Sequence, residues 1–121
     1  MNKNLTQADL DKFIGTEQYY RHGLTGYNYT DGVAYLAEKG GAYWLIDKIL
    51  IVTKHTPKLA EHAKELNVWM LHVNEDKTAL LECGDGNGNS IYKEEIKFTD
   101  FPMGKVGLWH TNEVLILPSE Y

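Results

Sequence analysis

The chain has 121 residues, a formal net charge of −5 and 43% hydrophobic residues. These values describe one globular domain, residues 1–121, with enough chain to bury a core. One cysteine, Cys83, rules out an internal disulfide framework, and a single arginine, Arg21, without a basic cluster argues against nucleic-acid binding.

Residues 1–60 carry seven Lys/Arg against six Asp/Glu, and residues 61–121 carry five against eleven, so the charge splits as +1 and −6. An acidic half favours solubility and can steer binding to a basic surface on a partner. The start, Met1-Asn2-Lys3-Asn4-Leu5, lacks the apolar stretch of a secretory signal, so the expected setting is cytoplasmic.

Thr6, with Asp9 three residues on, forms a capping-box pattern ahead of Leu10, Phe13 and Ile14, which predicts a helix from Gln7 to Ile14 closed by Gly15. Tyr19, Tyr20, Tyr27 and Tyr29 then crowd a glycine-punctuated stretch, predicting a short strand over Gln18–His22 and an irregular connection. Thr30 is a second N-cap, for a helix from Asp31 to Lys39 that Gly40-Gly41 breaks.

The run Ala42–Val52 is the most apolar in the chain. On a helical wheel Ala42, Leu45, Ile46, Ile49, Val52 and Thr53 share a face, while Asp47, Lys48 and Lys54 form a polar stripe between Tyr43, Trp44 and Ile51. The run is far shorter than the roughly 20 residues of a membrane span, and two adjacent charges interrupt it. It predicts a buried central helix over about 42–54, with a strand over Lys48–Thr53 as the competing reading. Thr56-Pro57 opens a further helix to Asn67.

From Val68 the period becomes strand-like: Val68–Val73 reads as a strand buried on both faces, Thr78–Cys83 as a second. Asn87-Gly88 suits a type I′ hairpin turn before the alternating strand Ser90–Phe98, in which Glu94 interrupts the apolar face. Val106–His110 and Glu113–Leu117 make a last hairpin. The expected fold class is α+β: N-terminal helices packed on a C-terminal antiparallel meander of four to five strands.

Several phrases stand together in order: Gly15-Thr16-Glu17 with Tyr20-Arg21-His22, Tyr29-Thr30-Asp31-Gly32-Val33, Ala42-Tyr43-Trp44-Leu45, Asp85-Gly86-Asn87, Thr99-Asp100-Phe101-Pro102, Val114-Leu115, and Leu117-Pro118-Ser119-Glu120-Tyr121. In this order they resemble a family of small uncharacterised domains encoded in bacterial genomes, plasmids and phages. The resemblance covers about residues 6–121. It carries no activity and no catalytic residues; it implies a bacterial or mobile-element origin and an intracellular setting.

No motif completes a catalytic or metal site. Asp85-x-Asn87-x-Asn89 begins like a calcium loop, but Ser90 and Ile96 stand where Gly and Glu are required. His22, His55, His62, His72 and His110 include no i, i+4 pair. Cys83 with His72 or His110 reads more simply as a small hydrophobe on a strand than as a nucleophile. The expectation is no cofactor, no metal and no membrane association.

The chemistry left unexplained lies in Tyr20, Arg21, His22, Tyr29 and Asp31, the residue types of a binding surface. The bland alternative is that the tyrosines roof the core while Arg21 pairs with Asp31. The leading expectation is a non-enzymatic module that binds a protein partner. The alternatives are a small hydrolase or transferase with His22 as base oriented by Asp31, and a homodimer paired through a sheet edge.

Overall fold

The computed structural model describes residues 5–121. The first helix, α1 (Gln7–Asp11), begins with the expected capping box: the Asp9 N–H donates to Thr6 Oγ1 at 3.3 Å and the Thr6 N–H to Asp9 Oδ2 at 3.0 Å. It stops three residues before Ile14, which is 82% exposed and so gives the last turn nothing to bury.

Strands β1 (Tyr19–Arg21) and β2 (Asn28–Thr30) form an antiparallel hairpin. The stretch expected to be irregular thus contains a strand, too short at three residues to show alternation. Helix α2 (Asp31–Gly40) is capped by Thr30, whose Oγ1 accepts the Val33 N–H at 3.2 Å, and ends at Gly41 in the left-handed region.

The central run is helix α3 (Tyr43–His55), not a strand. Leu45, Ile46, Ile49, Leu50 and Thr53 are buried; Leu50 takes the place assigned to Val52, which is half-buried. Each large apolar side chain buried here contributes about 1.5–3 kcal/mol. Helix α4 (Pro57–His62) ends five residues early because Asn67 is drawn into the sheet. Its side chain donates to the Leu59 carbonyl at 3.1 Å, and its Oδ1 lies 2.7 Å from His62 Nδ1.

The remaining strands are β3 (Asn67–Val73), β4 (Ala79–Gly84), β5 (Ser90–Ile96), β6 (Lys105–Thr111) and β7 (Val114–Ile116), followed by a 3-10 turn, Pro118–Glu120. The α+β class holds, but the sheet has seven strands rather than four to five and is not a simple meander: its order is β1-β2-β7-β6-β3-β4-β5. After β5 the chain returns to the free side of β3, so β6 pairs with β3 and places it mid-sheet. β2 then joins β7 in parallel, through Asn28↔Val114 and Tyr29↔Leu115.

The β4–β5 turn is not the expected type I′, which needs positive φ at both central residues. Positive φ occurs at Gly86 and Gly88 but not at Asn87. The Asp85 carboxylate organises the turn instead, accepting N–H groups of Asn87 at 2.7 Å and Asn89 at 3.2 Å and the Asn89 amide at 2.9 Å. These three bonds hold the turn in its hairpin geometry.

Helix α3 also sets the shape of the sheet. Asp47 holds His22, just past β1, and the adjacent Lys48 holds Glu94 on β5. Laid flat, the first and last of seven strands would stand about 29 Å apart. Neighbouring residues of one helix reach both margins only because the sheet curls around α3. Trp69, Leu71, Leu81, Cys83, Leu108 and Leu115 line its concave face against Leu45, Ile46, Ile49 and Leu50. No described helix is long and apolar enough to cross a membrane.

Cys83 is fully buried on this concave face, and burial pushes its thiol up to about 12. A thiol that stays protonated is a poor nucleophile. Aromatic-disulfide reagents should leave Cys83 unlabelled in the native protein and titrate it fully once denaturant unfolds the chain; rapid native labelling would contradict this burial.

Candidate functional site

Strand pairing separates the five residues singled out in the sequence. Side chains alternate across a strand, so Tyr20, His22 and Tyr29 face α3, whereas Arg21 and Tyr19 lie on the convex side. Arg21 is exposed, and its guanidinium folds back over its own hairpin, 3.6 Å from where a Cβ on Gly26 would stand. It does not pair with Asp31.

Asp31 opens α2, where its Oδ1 accepts the Gly32 N–H at 3.1 Å and its charge complements the helix N-terminus. His22 bonds across the hairpin to Tyr27, and Asp31 to Gln18, four residues further along the strand. His22 and Asp31 therefore stand about 13 Å apart along the hairpin, and the structure does not bring them together as a base and its orienter.

The carboxylate beside His22 is Asp47, at 2.8 Å from Nε2, while Nδ1 lies 2.8 Å from Thr25 Oγ1. One tautomer satisfies every atom: Nε2–H donates to Asp47, and Nδ1 accepts from the Thr25 hydroxyl. The Thr25 oxygen in turn accepts the Tyr27 N–H at 3.2 Å. The chain hydroxyl–imidazole–carboxylate has the connectivity of a nucleophile, base and acid, but the burial is reversed. Thr25 is 7% exposed, whereas the Asp47 side chain is 53% exposed. A hydroxyl sealed from substrate cannot attack one; this set pins the hairpin to α3.

The tyrosines gather at the start of α3. Tyr20 stacks on Tyr29 with centroids 5.6 Å apart, and the Tyr20 hydroxyl donates to Gln18 Oε1 at 2.9 Å. Tyr43, 47% exposed, donates to Glu38 at 3.5 Å. Burial, the Glu38 carboxylate, and then the Tyr29 and Tyr20 hydroxyls push the Tyr43 hydroxyl up. The three tyrosines thus share one neighbourhood.

On the same helix, Trp44, Asp47, Lys48, Ile51 and Val52 line an open depression of about 320 Å³. One rim is the His22–Asp47 pair. The other is Lys48 with Glu94, at 2.7 Å, whose second oxygen accepts the Tyr92 hydroxyl at 2.5 Å. The Lys48 and Tyr92 bonds hold the Glu94 carboxyl down, while burial and then the Glu94 carboxylate push the Tyr92 hydroxyl up to about 12. An apolar floor with a few fixed polar groups at its rim is the usual make-up of a recognition site.

Sequence reasoning located the tyrosines and His22 but missed Thr25, Trp44, Asp47 and Ile51. The signals were present: Asp47-Lys48 inside the apolar run, and Glu94 on an apolar face. Among the described residues, no group of three His, Cys, Asp or Glu side chains is placed to hold a metal ion.

No curated protein and no solved structure matches the chain. The model of a family of unknown function, DUF6876, matches residues 4–121, and the chain belongs to that family.

Proposed function

We propose that this protein is a non-enzymatic binding module that recognises a protein partner through the open side of α3. The supporting observation is the aromatic surface at the start of α3, with Tyr20 and Tyr43 exposed and Tyr29 and Trp44 half-buried, beside the apolar depression. Tyrosine and tryptophan dominate binding hot spots because each offers large contact area at low entropic cost together with a polar handle. The acidic balance favours a partner with a basic rim. A cytoplasmic setting, and an origin in a bacterial genome, plasmid or phage, belong to the same proposal; they rest on the likeness of the ordered sequence phrases.

A partner retained by the tagged protein should bind the Tyr20→Ala/Tyr43→Ala variant at least about tenfold more weakly, a hot-spot loss. Calorimetric titration measures this, and circular dichroism should show an unchanged fold, since both side chains lie at the surface outside the buried core. Unchanged affinity would remove this surface from consideration. The small-enzyme reading has no geometric support at His22, which is pinned rather than poised.

A further inference from the structure

β5 is one margin of the sheet. β4 bonds one side of it, and among the described residues nothing bonds the backbone of the other side. An open margin of seven residues without proline is a template for another strand. The opposite margin, β1, has three residues and offers much less.

The exposed charges of β5 complement themselves when the strand is reversed about Glu94. Lys93, Glu95 and, just beyond, Lys97 alternate in sign along the convex side, and all are exposed. Glu95 has no ion pair with a described residue, and Lys93 reaches Glu82 only at 3.8 Å. Tyr92, Glu94 and Ile96 alternate with them on the concave side. A guard against aggregation needs only charge; it does not need alternation that complements itself.

We propose that β5 pairs antiparallel with β5 of a second copy of this chain, about a twofold axis through Glu94. A twofold perpendicular to the sheet keeps each face with its like, so facing residues differ by an even number. Centred on Lys93, the pairing sets that lysine against itself. Centred on Glu95, it sets Glu95 against itself and Lys93 against Lys97. Centred on Glu94, it sets each Lys93 against Glu95 of the other copy, and each Tyr92 against Ile96. The two Glu94 carboxylates then meet at the axis, but each already carries Lys48 and the Tyr92 hydroxyl. Two glutamates and two lysines sum to zero there. The result is one sheet continuous through two copies.

Light scattering or sedimentation of the full chain over a dilution series tests the interface. The wild-type chain should dimerise. Lys93→Glu and Glu95→Lys should each weaken the dimer by about tenfold, since each turns two attractive cross-strand pairs repulsive. An equimolar mixture of the two variants should recover dimerisation, because Glu at 93 in one chain then faces Lys at 95 in the other. Both side chains are exposed, and circular dichroism should show both variants folded. A wild-type chain that stays monomeric to millimolar concentration overturns the proposal. So does a dimer indifferent to both substitutions, or a mixture that fails to recover. The interface shares Glu94 and Lys48 with the rim of the α3 site but does not include Tyr43, so Tyr43→Ala should leave dimerisation unchanged.

Discussion

Gly32→Ala should destabilise the protein by about 2–3 kcal/mol, the cost of forcing atoms into a packed site. A Cβ on Gly32 would stand 2.7 Å from the carboxyl carbon of Glu120 and within 2.8 Å of both its oxygens. That carboxylate cannot swing clear. It accepts the Thr30 hydroxyl at 2.6 Å and the Leu117 N–H at 2.9 Å, with Thr16 at 3.4 Å, and Glu120 is 8% exposed. Burial pushes its carboxyl up, and the bonds from Thr30 and Leu117 draw it back. Glu120→Ala should itself cost about 1–3 kcal/mol by leaving those donors without an acceptor.

The two substitutions should not add. Once the carboxylate is gone, the Cβ at position 32 has room, so the double variant should be at least as stable as Glu120→Ala, and more stable by up to about 1 kcal/mol, because a helix favours Ala over Gly. Urea unfolding of the four proteins closes the cycle. Additive losses would show that the two sites act separately.

Acid should remove about 3 kcal/mol of stability through His110 alone. The residue is fully buried, packs edge-on to Tyr27 at 4.8 Å, and neither ring nitrogen has a hydrogen-bond partner among the described residues. Burial pushes its imidazole down to about 4 from 6.5. As pH falls below 6.5 the unfolded chain takes up the proton first, while the folded chain stays neutral until about 4. Stability is therefore lost across that window and not further below it.

His110→Phe keeps an aromatic ring against Tyr27 and has no proton to take up. At pH 7 it should be close to wild type in stability, because it replaces unpartnered buried polar atoms with apolar ones. Its unfolding free energy should fall less steeply between pH 6.5 and 4 than that of the wild type, the difference being the His110 contribution. Parallel slopes would assign the acid sensitivity to other groups.

Local structure was legible where it depends on neighbours in sequence. Thr6 with Asp9, Thr30 with Gly41, and Pro57 after Thr56 mark helix ends by backbone chemistry within one turn. Ala42–Val52 marks a buried helix by its apolar spacing. The alternation through β5 and the continuous run in β3 marked strands, but β3 is buried on one face only: Val68 and Met70 are half-buried and His72 is exposed. β1 fell within the strand expected over Gln18–His22, whereas β2 escaped because three residues cannot show a period. The last turn of α1 failed because propensity favoured a helix that tertiary packing does not support at Ile14.

The α+β class, the buried central helix and the strand at Tyr19–Arg21 were written in the sequence alone, because periodicity, capping and residue preference are properties of adjacent residues. Only the tertiary structure decided the sheet order, the parallel β2–β7 pair, and which groups meet: His22 with Asp47, Lys48 with Glu94, and Glu120 with Thr30 and Gly32. Those pairs are 25, 46, and 90 and 88 positions apart. Nothing in local propensity encodes such contacts; they follow from the sheet curling around α3, which brings its two margins to opposite sides of one helix.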